Sequence, residues 1–231
     1  MEVISYILQP YKEIVGEVAS YVTIAQFFSG LFVCRDIYNK GTSKGISSMP
    51  FIGGVTIAIL MLKYGLLLND PAMIKVNVVA IVLNTIYSIF FYKFAEDKYE
   101  EIYKPISMGI GVLAILLGYT ELESSKNLEF RFGLILTILM LALLGAPLGG
   151  IKQIIADKDA SSIPLPITLM GAIVTFLWFL YGNILQNGFM IIQNVIGCVL
   201  CVVQLALIIK YPKPEPSQGQ NKKNKSTKKK Q

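Results

Sequence analysis

The sequence predicts an all-α membrane protein of seven transmembrane helices arranged as three, one and three. Three observations carry that prediction. Of 231 residues, 54% are hydrophobic and only 16% charged, with a mean hydropathy of +0.58, whereas soluble domains carry roughly 25% charged residues. Apolar runs of about 20 residues, each long enough to cross the hydrocarbon core, recur seven times. Finally, residues of the first three runs return in the last three at a fixed offset, and such internal repetition decides architecture.

The runs fall at about 14–36, 46–68, 72–94, 104–121, 131–151, 163–185 and 189–210. The first, Ile14 to Asp36, holds Gln26 and Ser29-Gly30. Ahead of it, Met1 to Glu17 mixes Glu2, Lys12, Glu13 and Glu17 with apolar residues. It has no basic region followed by an apolar core, so the first span itself is expected to direct insertion. The second run opens on Ser47-Ser48-Met49-Pro50 and closes on Tyr64-Gly65, and Leu68-Asn69-Asp70-Pro71 is a tight turn. The third carries Asn77, Asn84 and Tyr87. A charged loop, Glu96 to Lys104, leads to a glycine-rich fourth run, and an acidic loop, Glu121 to Glu129, follows it.

The repetition then begins. Tyr64-Gly65, Met73, Asn77 and Lys93 are answered by Tyr181-Gly182, Met190, Asn194 and Lys210, each 117 residues later. Ser29-Gly30 and Arg35 are answered by Ala146-Pro147 and Lys152 at the same offset. Ser47-Ser48-Met49-Pro50 is answered by Ser161-Ser162-Ile163-Pro164 at 114, which predicts a loop three residues shorter and a helix three residues longer. A three-span unit starts on one side and ends on the other, so parallel repeats need one extra crossing. The fourth run is that linker, and its lack of central polar residues follows. The expected divisions are 14–95 (first triple-helix repeat), 96–128 (linker helix and loops), 129–212 (second repeat) and 213–231 (a basic tail).

Lysine and arginine set the expected orientation. With the N-terminus outside, sixteen of the 21 face the cytosol and five (Lys12, Lys63, Lys75, Lys126, Arg131) face out, as the positive-inside rule requires. The net charge of +6 comes mostly from the tail, so it does not point to nucleic acid. That tail, rich in proline and then lysine, is expected to be disordered, to lie near anionic lipid, and to present a dilysine-like end, Lys228-Lys229-Lys230-Gln231,. Such an end would place part of the protein in the Golgi and early secretory pathway besides the plasma membrane. The sequon Asn224-Lys225-Ser226 falls in the same cytosolic tail, where no glycosylation is expected,. Cys34, Cys198 and Cys201 read as packing thiols, since no histidine completes a metal site,. Without a histidine, a nucleophile–base pair or a metal cluster, the chain is not read as an enzyme and calls for no cofactor.

The candidate site is built on Trp178 to Asn194, WFLYGNILQNGFMIIQN, which holds the only tryptophan. An amide in hydrocarbon is costly without a partner and is a functional candidate. One membrane asparagine usually bonds a neighbouring helix. Two related by an internal repeat, Asn77 and Asn194, fit a central site on the repeat axis. Amides donate and accept toward hydroxyls, and an aromatic face such as Trp178 packs on the C–H face of a sugar.

The doubled three-span unit, the Tyr-Gly pairs, the prolines and the paired asparagines together resemble the SWEET sugar transporters, the animal branch in particular, over about residues 14–212. The resemblance implies roles position by position. Asn77 and Asn194 would bind sugar midway across the membrane, Trp178 would stack on it, and Met61 is the counterpart of Trp178 in the second helix. Pro50, Pro147 and Pro164 match three of four hinge prolines. The fourth is Gly30 here, a departure, since glycine does not fix φ. Tyr64, Gly65, Tyr181, Gly182, Asp70 and Asn187 lie where the family's outer gate closes.

No Asp or Glu falls in the centre of a span, and ion-coupled carriers generally need such sites at mid-membrane. The expected activity is therefore uncoupled transport of mono- or disaccharides, glucose first, by alternating access. The partners are a small sugar and the lipid bilayer, with a homo-oligomer left open and no nucleic acid. The rival readings are a PQ-loop-type carrier of another small metabolite, though no Pro-Gln dipeptide is present, and a non-transporting membrane adaptor.

Overall fold

The structure is a computed structural model that describes residues 2–145 and 148–212. Seven of its segments are long and apolar enough to cross a membrane, and no strand occurs among the described residues. This is a multi-pass helical membrane protein. Its helices are α1 (Glu2–Leu8), α2 (Lys12–Phe27), α3 (Gly30–Lys40), α4 (Met49–Leu67), α5 (Pro71–Phe94), α6 (Lys104–Leu122), α7 (Ser125–Gly145), α8 (Leu148–Asp157), α9 (Leu165–Ile184) and α10 (Gly188–Lys210). The first span, Ser5–Lys40, runs from α1 through α3, and the fifth, Ser125–Asp157, takes in α7 and α8.

Packing repeats as the sequence does. In the first unit α5 lies between α2 and α4, and in the second α10 lies between α7 and α9. Across the units α2 packs on α9, and α4 packs on α7. These two contacts exchange under the 117-residue shift, which makes the bundle pseudo-two-fold. The linker α6 lies against α4 and turns its other side outward, with Met108, Ile110 and Ile115 exposed. Exposed aliphatic side chains on a membrane helix meet lipid rather than water.

Backbone detail follows the same shift. Asn69 and Gln186 both have positive φ, 51° and 53°, and each ends its helix just before a capping residue. Asp70 and Asn187 are the N-caps of α5 and α10, accepting from the amides of Met73 and Met190 at 2.8 and 3.0 Å. At the opposite end, Ser43 N–H donates to the Phe94 carbonyl at 3.1 Å and Ala160 N–H to the Tyr211 carbonyl at 3.0 Å.

Several sequence expectations change. The fifth span begins at Ser125 rather than near 131, because Leu128 and Phe132 bury one face of that first stretch while Lys126, Glu129 and Phe130 stay exposed. The acidic loop therefore shrinks to Glu123-Ser124. The first span likewise runs further, reaching Lys40. Nor is α9 a turn longer than α4: the lengths are 20 and 19 residues. Pro164 is the N-cap of α9 and precedes the helix, whereas Pro50 lies in the first turn of α4, a place taken in α9 by Pro166.

The first span breaks at Phe28–Ser29, where Phe28, Ser29, Leu31 and Phe32 bond three residues back. A Cβ on Gly30 would run into the Tyr87 ring, so this position is a close approach, not a strained φ. The Tyr87 hydroxyl donates to the Phe27 carbonyl at 3.2 Å, giving a partner to a backbone acceptor that the break releases. Pro147 lies outside the described residues, as does the lysine-rich tail beyond residue 212.

Candidate substrate cavity and gate

A cavity of about 450 Å³ lies between the two units, lined from α2, α4, α5, α7, α9 and α10. Asn77, Asn194, Trp178 and Met61 all face it, so the four sequence-predicted binding residues converge on one space. Each asparagine sits about two turns beyond its helix N-cap and donates through Nδ2 to the carbonyl four residues back, Met73 and Met190, both at 2.8 Å. One N–H and the carbonyl oxygen of each amide remain for a ligand. Among the described residues no charged side chain lines this cavity. Such a space suits a neutral polar solute better than an ion.

Trp178 reaches across the interface between units. Its Nε1–H donates to Thr23 Oγ1 on α2 at 2.9 Å, and its ring meets Tyr181 edge-on at 5.7 Å. The two-fold counterparts of Trp178 and Thr23 are Met61 and Met140, which also line the cavity. The site is thus symmetric in its two principal amides and asymmetric in its stacking face.

Sequence reasoning missed several polar liners. Thr23, Thr175 and Gln193 face the cavity, and Gln193 Nε2 donates to Thr137 Oγ1 at 2.7 Å. Asn84 also faces it, donating to the Ala80 carbonyl at 2.9 Å. Threonine gives no signal, because in a helix its hydroxyl commonly bonds its own backbone, as Thr23 does to Ala19 at 2.7 Å,. Asn84 was visible as a third amide in hydrocarbon, yet its two-fold counterpart is Cys201, so the repeat did not single it out.

The end of the bundle carrying the α4–α5 and α9–α10 turns, the turn end, is closed. The Tyr181 hydroxyl donates to Asp70 Oδ2 at 2.6 Å, and Asn187 Nδ2 donates to the Tyr64 hydroxyl at 3.0 Å. These contacts are two-fold mates, and Tyr64, Tyr181 and Asp70 are only 2–3% exposed. Burial this deep rules out an interfacial-belt role for the two tyrosines. Each tyrosine also packs on a glycine of the opposite unit: a Cβ on Gly16 would lie 2.8 Å from the Tyr181 ring, and one on Gly133 2.8 Å from the Tyr64 hydroxyl. Gly65 and Gly182 admit Met73 and Met190 at comparable range. All six predicted gate residues therefore meet in one layer. From that layer the cavity extends past Gly54 to Pro50, away from the turn end.

Of the hinge candidates, Gly30 is buried at the break in the first span, Pro50 lines the cavity, and Pro164 is exposed and outside the lining. The cysteines are occupied in packing: Cys198 lies 3.1 Å from Thr175 Oγ1, and the Cys201 sulfur lies 3.4 Å from where a Gly171 Cβ would be.

A family model described as "Sugar efflux transporter for intercellular exchange" matches residues 13–99 and 130–216, one stretch per unit. The chain belongs to this MtN3/SWEET family. A SWEET1 sugar transporter of Caenorhabditis elegans is 33% identical over 207 residues, spanning 89% of this chain and 67% of the relative. The SWEET1 of Drosophila pseudoobscura pseudoobscura is 29% identical over 213 residues, 91% of this chain and 94% of the relative. A rice bidirectional sugar transporter, SWEET13, is 24% identical over 220 residues. The fold matches that of a eukaryotic SWEET transporter solved at 3.7 Å, with a TM-score of 0.72 and 19% identity, over 89% of this chain and 98% of that one. The three-one-three SWEET arrangement predicted from the repeat is the one observed, and the relatives are named as transporters, not enzymes.

Proposed function

We propose that this protein is a facilitative sugar transporter that moves glucose by alternating access. The observation that carries this reading is the pair Asn77 and Asn194, two-fold mates facing an uncharged cavity closed at the turn end by the two tyrosine bonds. Sugar hydroxyls would bond the free amide valences, and the sugar C–H face would pack on Trp178. Release of the Tyr181–Asp70 and Tyr64–Asn187 bonds, with closure around Pro50 and Gly30, would expose the cavity to the other side. Among the described residues no charged side chain lines the cavity, which favours flux down the sugar gradient,. The lysine and arginine distribution favours the turn end and the N-terminus outside or in the lumen, and the dilysine-like end Lys228-Lys229-Lys230-Gln231 favours a share of the protein in the Golgi beside the plasma membrane.

Labelled glucose flux into proteoliposomes tests this. Asn77→Ala and Asn194→Ala should each reduce flux about tenfold, the effect of one good hydrogen bond lost. Normal flux in both variants would refute the central site. Uphill accumulation driven by an imposed pH gradient would refute uncoupled transport.

A further inference from the structure

A second cavity, of about 660 Å³, lies on the far side of the gate. Tyr64 lines both cavities, so they meet this tyrosine from its two sides. The second cavity, like the first, is lined by two-fold mates, here Asn69/Gln186 and Asp70/Asn187. Asn69 and Gln186, 117 residues apart, each offer an exposed amide to it from their respective turns. Both hold φ near +50° (51° and 53°), where glycine is the unstrained choice and side chains are uncommon. Strain kept at two equivalent positions points to a use for the side chains. The Gln186 amide donates one bond, to Ser5 Oγ at 3.3 Å, and keeps its carbonyl free.

The same cavity has an aromatic wall and no net charge. Phe130, 65% exposed, meets Phe189 with ring centroids 5.3 Å apart. Its charged liners are Lys12 and Lys126 against Asp70 and Glu129, two of each sign, and Lys12 and Glu129 are themselves two-fold mates. Balanced charge, paired amides and an apolar aromatic face are the features that recognise a neutral polyol. A volume of this size lies within the usual range for small-ligand pockets.

We propose that this cavity is an encounter site for a neutral sugar, occupied while the gate is closed. Asn69 and Gln186 bond hydroxyls and the Phe130–Phe189 wall packs the C–H face. The sugar then lies against Tyr64, positioned to pass to the central amides once the gate opens. The inference rests on the sugar-transport reading above.

A single-tryptophan reporter tests it: Phe130→Trp in a Trp178→Phe background, as the full chain in lipid nanodiscs, titrated with D-glucose. The expected result is a saturable fluorescence change that persists in Asn77→Ala and weakens about tenfold in Asn69→Gly/Gln186→Gly, two amide contacts being lost. Glycine relieves the positive φ, so that double variant should fold. In the chain with native Trp178, the same double variant should raise the KM for glucose uptake several-fold. Absence of a saturable change, or its loss in Asn77→Ala, overturns the encounter site. So does an uptake KM unaltered in the double variant. If glucose flux persists in those cases, the central-site reading stands; if flux is absent as well, both fall.

Discussion

Asp70 and Asn187 occupy equivalent positions and cap equivalent helices, yet their bonds to the gate run in opposite directions. Asp70 accepts from Tyr181, whereas Asn187 donates to Tyr64. Hydrogen bonds to a charged group contribute about 1.5–3 kcal/mol, against 0.5–1.5 for neutral pairs. Tyr181→Phe should therefore open the gate more than Tyr64→Phe, by about tenfold in population against a few-fold. The measurement is the rate at which an impermeant maleimide, added at the turn end, labels Met190→Cys in a cysteine-free background. Equal rates for both variants would show that the carboxylate has no special weight. At this scale the sequence disclosed what duplication repeats. Asn77, Asn194 and the Tyr-Gly pairs stood out because each appears twice. The Trp178–Thr23 bond joins residues 155 apart with no counterpart, and nothing in one copy could announce it.

Element boundaries were less legible, for a local reason. Charge near the membrane surface reads as loop, yet Lys126, Glu129 and Arg131 ride on a helix whose opposite face buries Leu128 and Phe132. The α6–α7 corner is held by Glu123, which accepts from the Tyr119 hydroxyl at 2.6 Å, Arg131 at 2.7 Å and the Ser124 amide. These donors, Tyr119 first, hold its carboxyl down at about 2. A depressed carboxyl stabilises the fold above its ordinary value and loses that contribution as pH falls through the folded one. The melting temperature in detergent should thus be indifferent to Glu123 ionisation down to mildly acidic pH. Below that range it should fall in the wild type more than in Glu123→Gln, and parallel pH profiles would count against the corner. The break in the first span makes a separate prediction. Gly30→Ala would drive a methyl group into the Tyr87 ring, and overpacking of this kind costs about 1–3 kcal/mol. Its melting temperature should drop by several degrees, while unchanged melting would mean that the ring yields freely.

For the whole molecule, two parallel units and one linker followed from topology alone, because equal orientation of the units requires an odd crossing between them. What sequence could not assign was the unit with which the linker moves. The structure ties α6 to the first unit at two levels. At the end opposite the gate, Thr42 donates to Glu96 and Ser43 to Glu101, both at 2.6 Å, and Ser48 donates to the Glu101 carbonyl. Within the membrane, Gly109 of α6 meets Thr56 of α4, a Cβ there lying 3.8 Å from the Thr56 Cβ. In the second unit Ala160 stands where Ser43 does. If one unit rocks against the other, α6 should travel with the first as a rigid body. A Cβ separation of 3.8 Å is the mean for a disulfide, so Thr56→Cys/Gly109→Cys should cross-link on oxidation without backbone movement. Glucose flux through the oxidised protein should remain within about twofold of the reduced form if those helices share one rigid body. A block relieved by reductant would show instead that α6 slides on α4 during transport, and the moving boundary would then run between α6 and the first unit.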